Sequence, residues 1–234
     1  MYICVITVGI ESLVRSLKEA LRLTNLELQK QGLLLLTEIL ERQPSGVRLF
    51  PSGPGFAAVS EAVVTGVSSS CLQVATQAAH AASALLRLNH QSSPVQYKEI
   101  QTLIEAITNR CSELPLPSSK SQASRSRGLL LQALVCFQAA CRLAEQCASE
   151  PFLKENAFTA PSKQGQAQNS LESLCRCLLH CCDTVCIPTV TVRHAPSVQM
   201  LQCFYSILSS QFTLFPSLMP LFACKLGDSD SQMI

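Results

Sequence analysis

Cys175, Cys177, His180, Cys181, Cys182 and Cys186 crowd into one short stretch of the chain. Thiolate and imidazole are the donors zinc favours, so this density raises zinc binding as the first chemical hypothesis. The spacing argues against it. Structural zinc sites draw tetrahedral ligands from two elements, usually through Cys-x-x-Cys knuckles, and the run contains none. The same residues fall on one expected helix that starts near Asn169 and Glu172, on which Leu171, Leu174, Leu178, Cys181, Cys182 and Val185 make a continuous apolar face. Cysteine on such a face serves as a small hydrophobe. Core packing is therefore the reading, and only Cys177 or Cys186, if exposed, would be attractive as reactive thiols.

The remaining candidates for chemistry are scattered. His80, His90 and His194 stand apart from one another and from any nucleophile motif, which reads as surface or capping histidine. No Gly-x-x-x-x-Gly-Lys-Ser/Thr, Gly-x-Ser-x-Gly or His-Glu-x-x-His pattern occurs, and Gly53-Pro54-Gly55 is a turn without the rest of a phosphate loop. We therefore expect no enzyme activity and assign no catalytic, cofactor-binding or metal-binding residue; no cofactor is expected. The stretch from Ser118 to Arg127 sets Lys120, Arg125 and Arg127 among serines, which is either a plain linker or a segment open to phosphorylation or nuclear import.

Composition narrows the class of protein. Hydrophobic residues make up 47% of the 234 residues and charged residues 15%, against about 25% charged in ordinary soluble domains. Many helix faces must then be covered by protein rather than water. A net charge of +2, 5% aromatics and no tryptophan give neither a phosphate-attracting field nor rings for base stacking. Direct nucleic-acid binding is not expected. The longest apolar stretches, around Leu33 to Leu36 and Leu129 to Phe137, fall short of the roughly 18 residues of a membrane span. The opening MYICVITVGI lacks a basic start and a cleavage site, so it reads as a clipped helix or a strand rather than a secretory signal. Thirteen cysteines inside helical patterns, with no Asn-X-Ser/Thr sequon, fit a reducing compartment, cytosol or nucleus.

The elements that must hold these residues are helical. Leu33, Leu36 and Leu40 share a face, widened by Leu34, Leu35 and Ile39, behind a Thr24-x-x-Glu27 start signal; contact on several sides is expected. Ile100, Leu103, Ile104, Ile107 and Cys111 form a second stripe after Ser93, Pro94 and Gln96. Leu130, Leu134, Phe137, Cys141 and Ala144 form a third, and Leu201, Phe204, Tyr205, Leu208 and Phe212 a fourth, after Pro196 and a Ser197 cap. Ala75, Ala78, Ala79 and Ala82 allow close helix approach. The expected helices lie at 10–23, 25–43, 55–66, 69–89, 95–112, 128–148, 168–187 and 197–214, with breaks at 113–128 and 149–169 and a possible edge strand at Thr189 to Val192. Paired, they span the roughly 40 to 47 residues of a HEAT or armadillo unit, although no repeated residue signature supports the count. The expected architecture is an all-α, armadillo/HEAT-like helical-repeat solenoid, incomplete at one or both ends. It divides into a helical-repeat segment 1–112, a Ser/Pro-rich linker 113–127, a second helical-repeat segment 128–226 and a polar tail 227–234.

The run LQKQGLLLLTEILERQP from Leu28 to Pro44, continued by VRLF from Val47 to Phe50, resembles the meiosis inhibitor protein family. The alanine-rich segment from Cys71 to His90 and the end from Phe204 to Leu226 are similar too. The resemblance covers most of the chain and rests on no short catalytic motif, so it carries no residue over as functional. It implies a long, nuclear, chromosome-associated helical-repeat protein needed for programmed meiotic DNA double-strand breaks and homologue synapsis in gametogenesis, working with other break-formation factors as protein partners. Full family members are much longer. A generic armadillo-like adaptor of cytosol or nucleus, and a zinc or thiol protein centred on Cys175 to Cys186, remain the alternatives.

Overall fold

Apolar residues spaced three and four apart build every element of this chain, because each such stripe is buried only when another helix covers it. The computed structural model describes residues 2–43, 49–50, 53–87, 97–114, 120–149, 172–174, 176–178, 180 and 197–214. Among the described residues seven long helices carry the fold: α1 (Tyr2–Arg22), α2 (Leu26–Glu41), α3 (Gly53–Val67), α4 (Leu72–Leu85), α5 (Tyr97–Ser112), α6 (Lys120–Ser149) and α7 (Val198–Leu214). The fold is all-α, with no strand among the described residues. The opening residues from Tyr2 onward are helix, which decides between the two readings of that segment.

Local signals set the helix ends, with some shifts from expectation. The cap of α2 is Asn25 rather than Thr24: its Oδ1 accepts from the Leu28 amide at 3.0 Å, while Glu27 turns outward to Lys30 and Gln31. Gln29 closes the preceding helix. Its Nε2 donates to the carbonyls of Leu21 and Leu23, at 3.2 and 2.6 Å, satisfying acceptors left open at the end of α1. Ser197 caps α7 as expected, its Oγ accepting from the Met200 amide at 3.3 Å.

The largest correction concerns the expected linker. Helix α6 begins at Lys120, so residues 120–127 are helical rather than part of a connection. After Pro117 the sequence KSQASRSR holds no helix breaker, and its Lys, Gln, Ala and Arg residues are good helix formers. Gly128 does not interrupt the helix, and a Cβ there would meet Thr76 at 4.0 Å. The expected break at 149–169, the strand at Thr189 to Val192 and the start signal at Ser93 to Gln96 lie outside the described residues.

One continuous core joins the helices. Helix α1 lies against α2 and α3, α2 against α4, α3 against α4 and α5, and α6 against α4, α5 and α7. Helix α4 sits deepest: Val74, Ala75, Ala78, Ala79, Ala81, Ala82, Ala84 and Leu85 are all buried, so its neighbours approach it closely from several sides. Gly66 of α3 marks one such approach, for a Cβ there would stand 3.0 Å from the Ala78 Cβ and 3.2 Å from a Leu33 methyl. The expected stripes of α5 (Ile100, Leu103, Ile104, Ile107, Cys111) and α6 (Leu130, Leu134, Phe137, Cys141, Ala144) are buried throughout. Each fully buried side chain of Leu or Phe size contributes about 1.5–3 kcal/mol of transfer free energy.

Two expected faces differ. On α2 the residues Leu33, Leu36 and Leu40 are buried, but Leu34 and Leu35 face solvent at 38% and 52% exposure. On α7 the buried face is Met200, Cys203, Ile207, Ser210 and Gln211, while Leu201 and Tyr205 of the expected stripe point outward. The segment Gln122–Glu145 of α6 is long and apolar enough to cross a membrane by length and composition. Its Leu129, Ala133, Cys136, Phe137, Ala140 and Leu143 are buried against other helices, the pattern of a core helix.

Candidate functional site

The cysteine run enters the structure through a helical stretch described at 172–174, 176–178 and 180. Leu174 and Leu178 are fully buried and join the common core. The stretch leans on α5: the Ser173 hydroxyl donates to Gln101 Oε1 at 3.2 Å, and Cys177 Sγ lies 3.9 Å from Glu105 Oε1. Arg176 grips Glu172 one turn earlier with both Nε and Nη2, at 3.0 and 2.8 Å. Cys177 is half-buried and His180 exposed. Cys175, Cys181, Cys182 and Cys186, with Leu171, Val185 and Asn169, lie outside the described residues. Among the described residues no group of three or more His, Cys, Asp or Glu side chains is placed to hold a metal ion.

Of the cysteines whose side chains are described, Cys111, Cys136, Cys141 and Cys203 are buried core residues, and Cys71 and Cys177 are partly exposed. Burial pushes the Cys111 thiol up to about 12, against the smaller opposing pull of the Arg110 charge. Burial likewise raises Cys136, with neighbouring Cys111 adding to the shift, and it raises Cys203 despite Arg142. A thiol held this far from ionisation is a poor nucleophile and a poor metal ligand.

The other sequence candidates do not converge. His80 sits near the end of α4, its Nε2 3.5 Å from Glu41 Oε1 of α2; Arg87 reaches the same carboxylate oxygen at 3.5 Å. These groups tie the ends of α2 and α4. His90 and His194 lie outside the described residues. Of the basic stretch, Arg125 and Arg127 are exposed on the first turns of α6, Ser126 is buried, and Ser118 lies outside the described residues.

Two features escaped the sequence reading. Arg110, near the end of α5, has a side chain only 12% exposed and donates from Nε to the Ser69 carbonyl at 3.1 Å and from Nη2 to that of Ser70 at 3.3 Å. It holds the turn between α3 and α4. The second feature is apolar surface. Leu23, Leu26, Leu28, Leu34 and Leu35 are exposed on the turn between α1 and α2 and along α2, and Val198, Leu201 and Tyr205 on α7. Periodicity had hinted at it only as leucines that widen a face. Such surfaces offer contact to other helices rather than chemistry to a substrate.

Comparison with known proteins adds what the geometry lacks. The family described as the meiosis inhibitor protein 1 N-terminal domain matches residues 3–231. Meiosis inhibitor protein 1 of Homo sapiens is 42% identical over 243 aligned residues, which take in 97% of this chain and 19% of that protein. Its counterpart in Mus musculus is 41% identical over 242 residues, with the same coverage. The chain thus spans about a fifth of the length of these curated relatives. The crystal structure of an engineered protein overlaps 86% of this chain and 97% of its own, at 15% identity and a TM-score of 0.31, too loose a likeness to carry an argument. Identity at this level, sustained along nearly the whole chain, makes it a member of the meiosis inhibitor protein 1 family, in the region of that family's N-terminal domain.

Proposed function

We propose that this chain serves in meiosis as part of a non-catalytic helical-repeat scaffold, required for DNA double-strand break formation and for synapsis of homologous chromosomes. The observation that carries the meiotic role is the 42% identity over 97% of the chain to human meiosis inhibitor protein 1. The scaffold reading draws on the helix neighbours. Helix α1 meets α3, α2 meets α4, α3 meets α5 and α4 meets α6, so each of α1 to α4 touches the next but one as well as its neighbour, as in a stacked array of helix pairs. In such an array the surface, rather than a pocket, does the binding.

Protein partners are proposed accordingly, among them other break-formation factors, with the nucleus as the site of action. The net charge of +2 supports leaving direct DNA contact to those partners. The absence of any nucleophile or phosphate-loop motif in the sequence supports a non-enzymatic role.

The test is purification of the tagged full-length protein from meiotic germ-cell extract, followed by mass spectrometry and metal analysis of the recovered material. Break-formation factors recovered without stoichiometric zinc are the expected result. Partners unrelated to recombination would replace this reading with that of a general adaptor, and stoichiometric zinc would return the Cys175 to Cys186 run to a metal site.

A further inference from the structure

Helix α7 has two apolar faces, and the fold uses the poorer one. Its buried face carries Met200, Cys203, Ile207, Ser210 and Gln211, two of them polar. The Gln211 side chain is wholly buried, yet its Oε1 has no hydrogen-bond partner among the described residues. The opposite side carries Val198, Leu201 and Tyr205, larger side chains spaced three and four residues apart, and half-buried Leu208 and Phe212 continue the same spacing. That is the seam spacing by which one helix receives another. Val198 is 70% exposed, Leu201 40% and Tyr205 69%.

The whole helix, VQMLQCFYSILSSQFTL, holds no charged residue. A helix without a charged face is ordinarily covered on all sides by protein. What covers it is indicated by the relatives. The segment aligned with this chain is 19% of their length and corresponds to their N-terminal domain, so further chain follows it in those proteins. In the order of contacts described above, the helices that come next in sequence are stacked against the last ones.

We propose that the outward stripe Val198, Leu201 and Tyr205 is the seat of the next helical layer of the longer family chain, docked in cis with an apolar seam of its own. The inference rests on the stacked-array reading and is independent of the meiotic role, which the germ-cell purification tests separately. Uncharged flanks such as Gln202 and Ser209 give the seam no charge code, so its partner is selected by apolar shape and by tethering.

The experiment places the photo-reactive residue p-benzoylphenylalanine at the position of full-length human meiosis inhibitor protein 1 aligned with Tyr205, with the same substitution in this chain alone. After irradiation, mass spectrometry identifies the adducts and light scattering gives the mass of each unirradiated protein. The expected result is an intrachain adduct in the full-length protein to peptides that follow the aligned segment. Adducts joining two copies, accompanied by a dimer mass, would overturn the proposal in favour of self-association. Adducts only to peptides within the aligned segment, or none at all, would overturn it as well. A small-angle scattering profile of this chain serves as the control for the array: a compact profile defeats the stacked-array reading, whereas an elongated one with a failed cross-link defeats only the assignment of the cover.

Discussion

Arg110 reaches across the fold to carbonyls about forty positions earlier in sequence, which is why nothing near it announces its role. Hydrogen bonds from a charged group to buried acceptors are worth about 1.5–3 kcal/mol each, less where water competes. Arg110→Ala is expected to lower the stability of the chain by about 1–3 kcal/mol in urea unfolding. Arg110→Lys recovers less than half of that, because an ammonium cannot fork to two carbonyls. Unchanged midpoints in both variants would show that the turn between α3 and α4 holds itself. The cysteines were more legible. Cys111 and Cys141 stand on plain apolar stripes and are buried, as periodicity implies. In native protein at pH 8, iodoacetamide should modify Cys177 well before Cys111 or Cys136, read peptide by peptide in a mass spectrometer. Equal rates would mean that the buried thiols open to solvent on that timescale.

At the level of helices, spacing fails where both faces of an element are apolar. The stripes of α5 and α6 were readable because each opposes a polar face. On α2 periodicity gave one over-wide face and on α7 a stripe of which Leu201 and Tyr205 point outward; neighbours distant in sequence made the choice. The start of α6 was misplaced for another reason: serines suggest a linker, but with no proline or glycine between Lys120 and Arg127 they merely lower helix propensity slightly. Gly66, at the crossing of α3 with α2 and α4, is the point where the fit of these elements can be tested. Gly66→Val is expected to destabilise by about 1–3 kcal/mol through overpacking, even though valine is the better helix former. A variant as stable as the parent would mean that α4 moves aside at little cost.

Between α1 and α3 an ion pair adds to the apolar contact. Lys18 Nζ stands 2.6 Å from Glu61 Oε2, and this hydrogen bond and charge hold the Glu61 carboxyl below its ordinary range. A depressed carboxylate contributes stability above its unfolded pKa and loses it as pH falls through the folded one. Glu61→Gln should therefore melt slightly lower than the parent at pH 7, and the gap should close as the pH is taken below about 4. A gap that persists in acid would assign the effect to packing. Because the pair is exposed, the difference at pH 7 is expected to be small and to shrink further in salt.

For the molecule as a whole, the order of contacts sets a gradient of stability. Helix α4 has neighbours in α2, α3, α5 and α6, whereas among the described residues α1 lies against α2 and α3 and α7 against α6. Hydrogen exchange should be slowest in α4 and in the middle of α6, and fastest in α1 and α7, where opening disturbs the fewest neighbours. Uniform protection across the helices would instead indicate a single cooperative unit. Phe137→Ala, at the centre of α6, is expected to cost about 3–5 kcal/mol in the same urea titration and to accelerate exchange in α4 as well as α6. The alanines of α4 carry one consequence beyond stability. Helix α4 reaches the core with Ala75, Ala78, Ala79, Ala81, Ala82 and Ala84, while α3 and α5 bring the larger Phe56, Val59, Val63, Ile100 and Ile104 to the same core. A methyl group has no rotamer to change, so a larger side chain at any of these alanines is accommodated only by moving a neighbouring helix as a body.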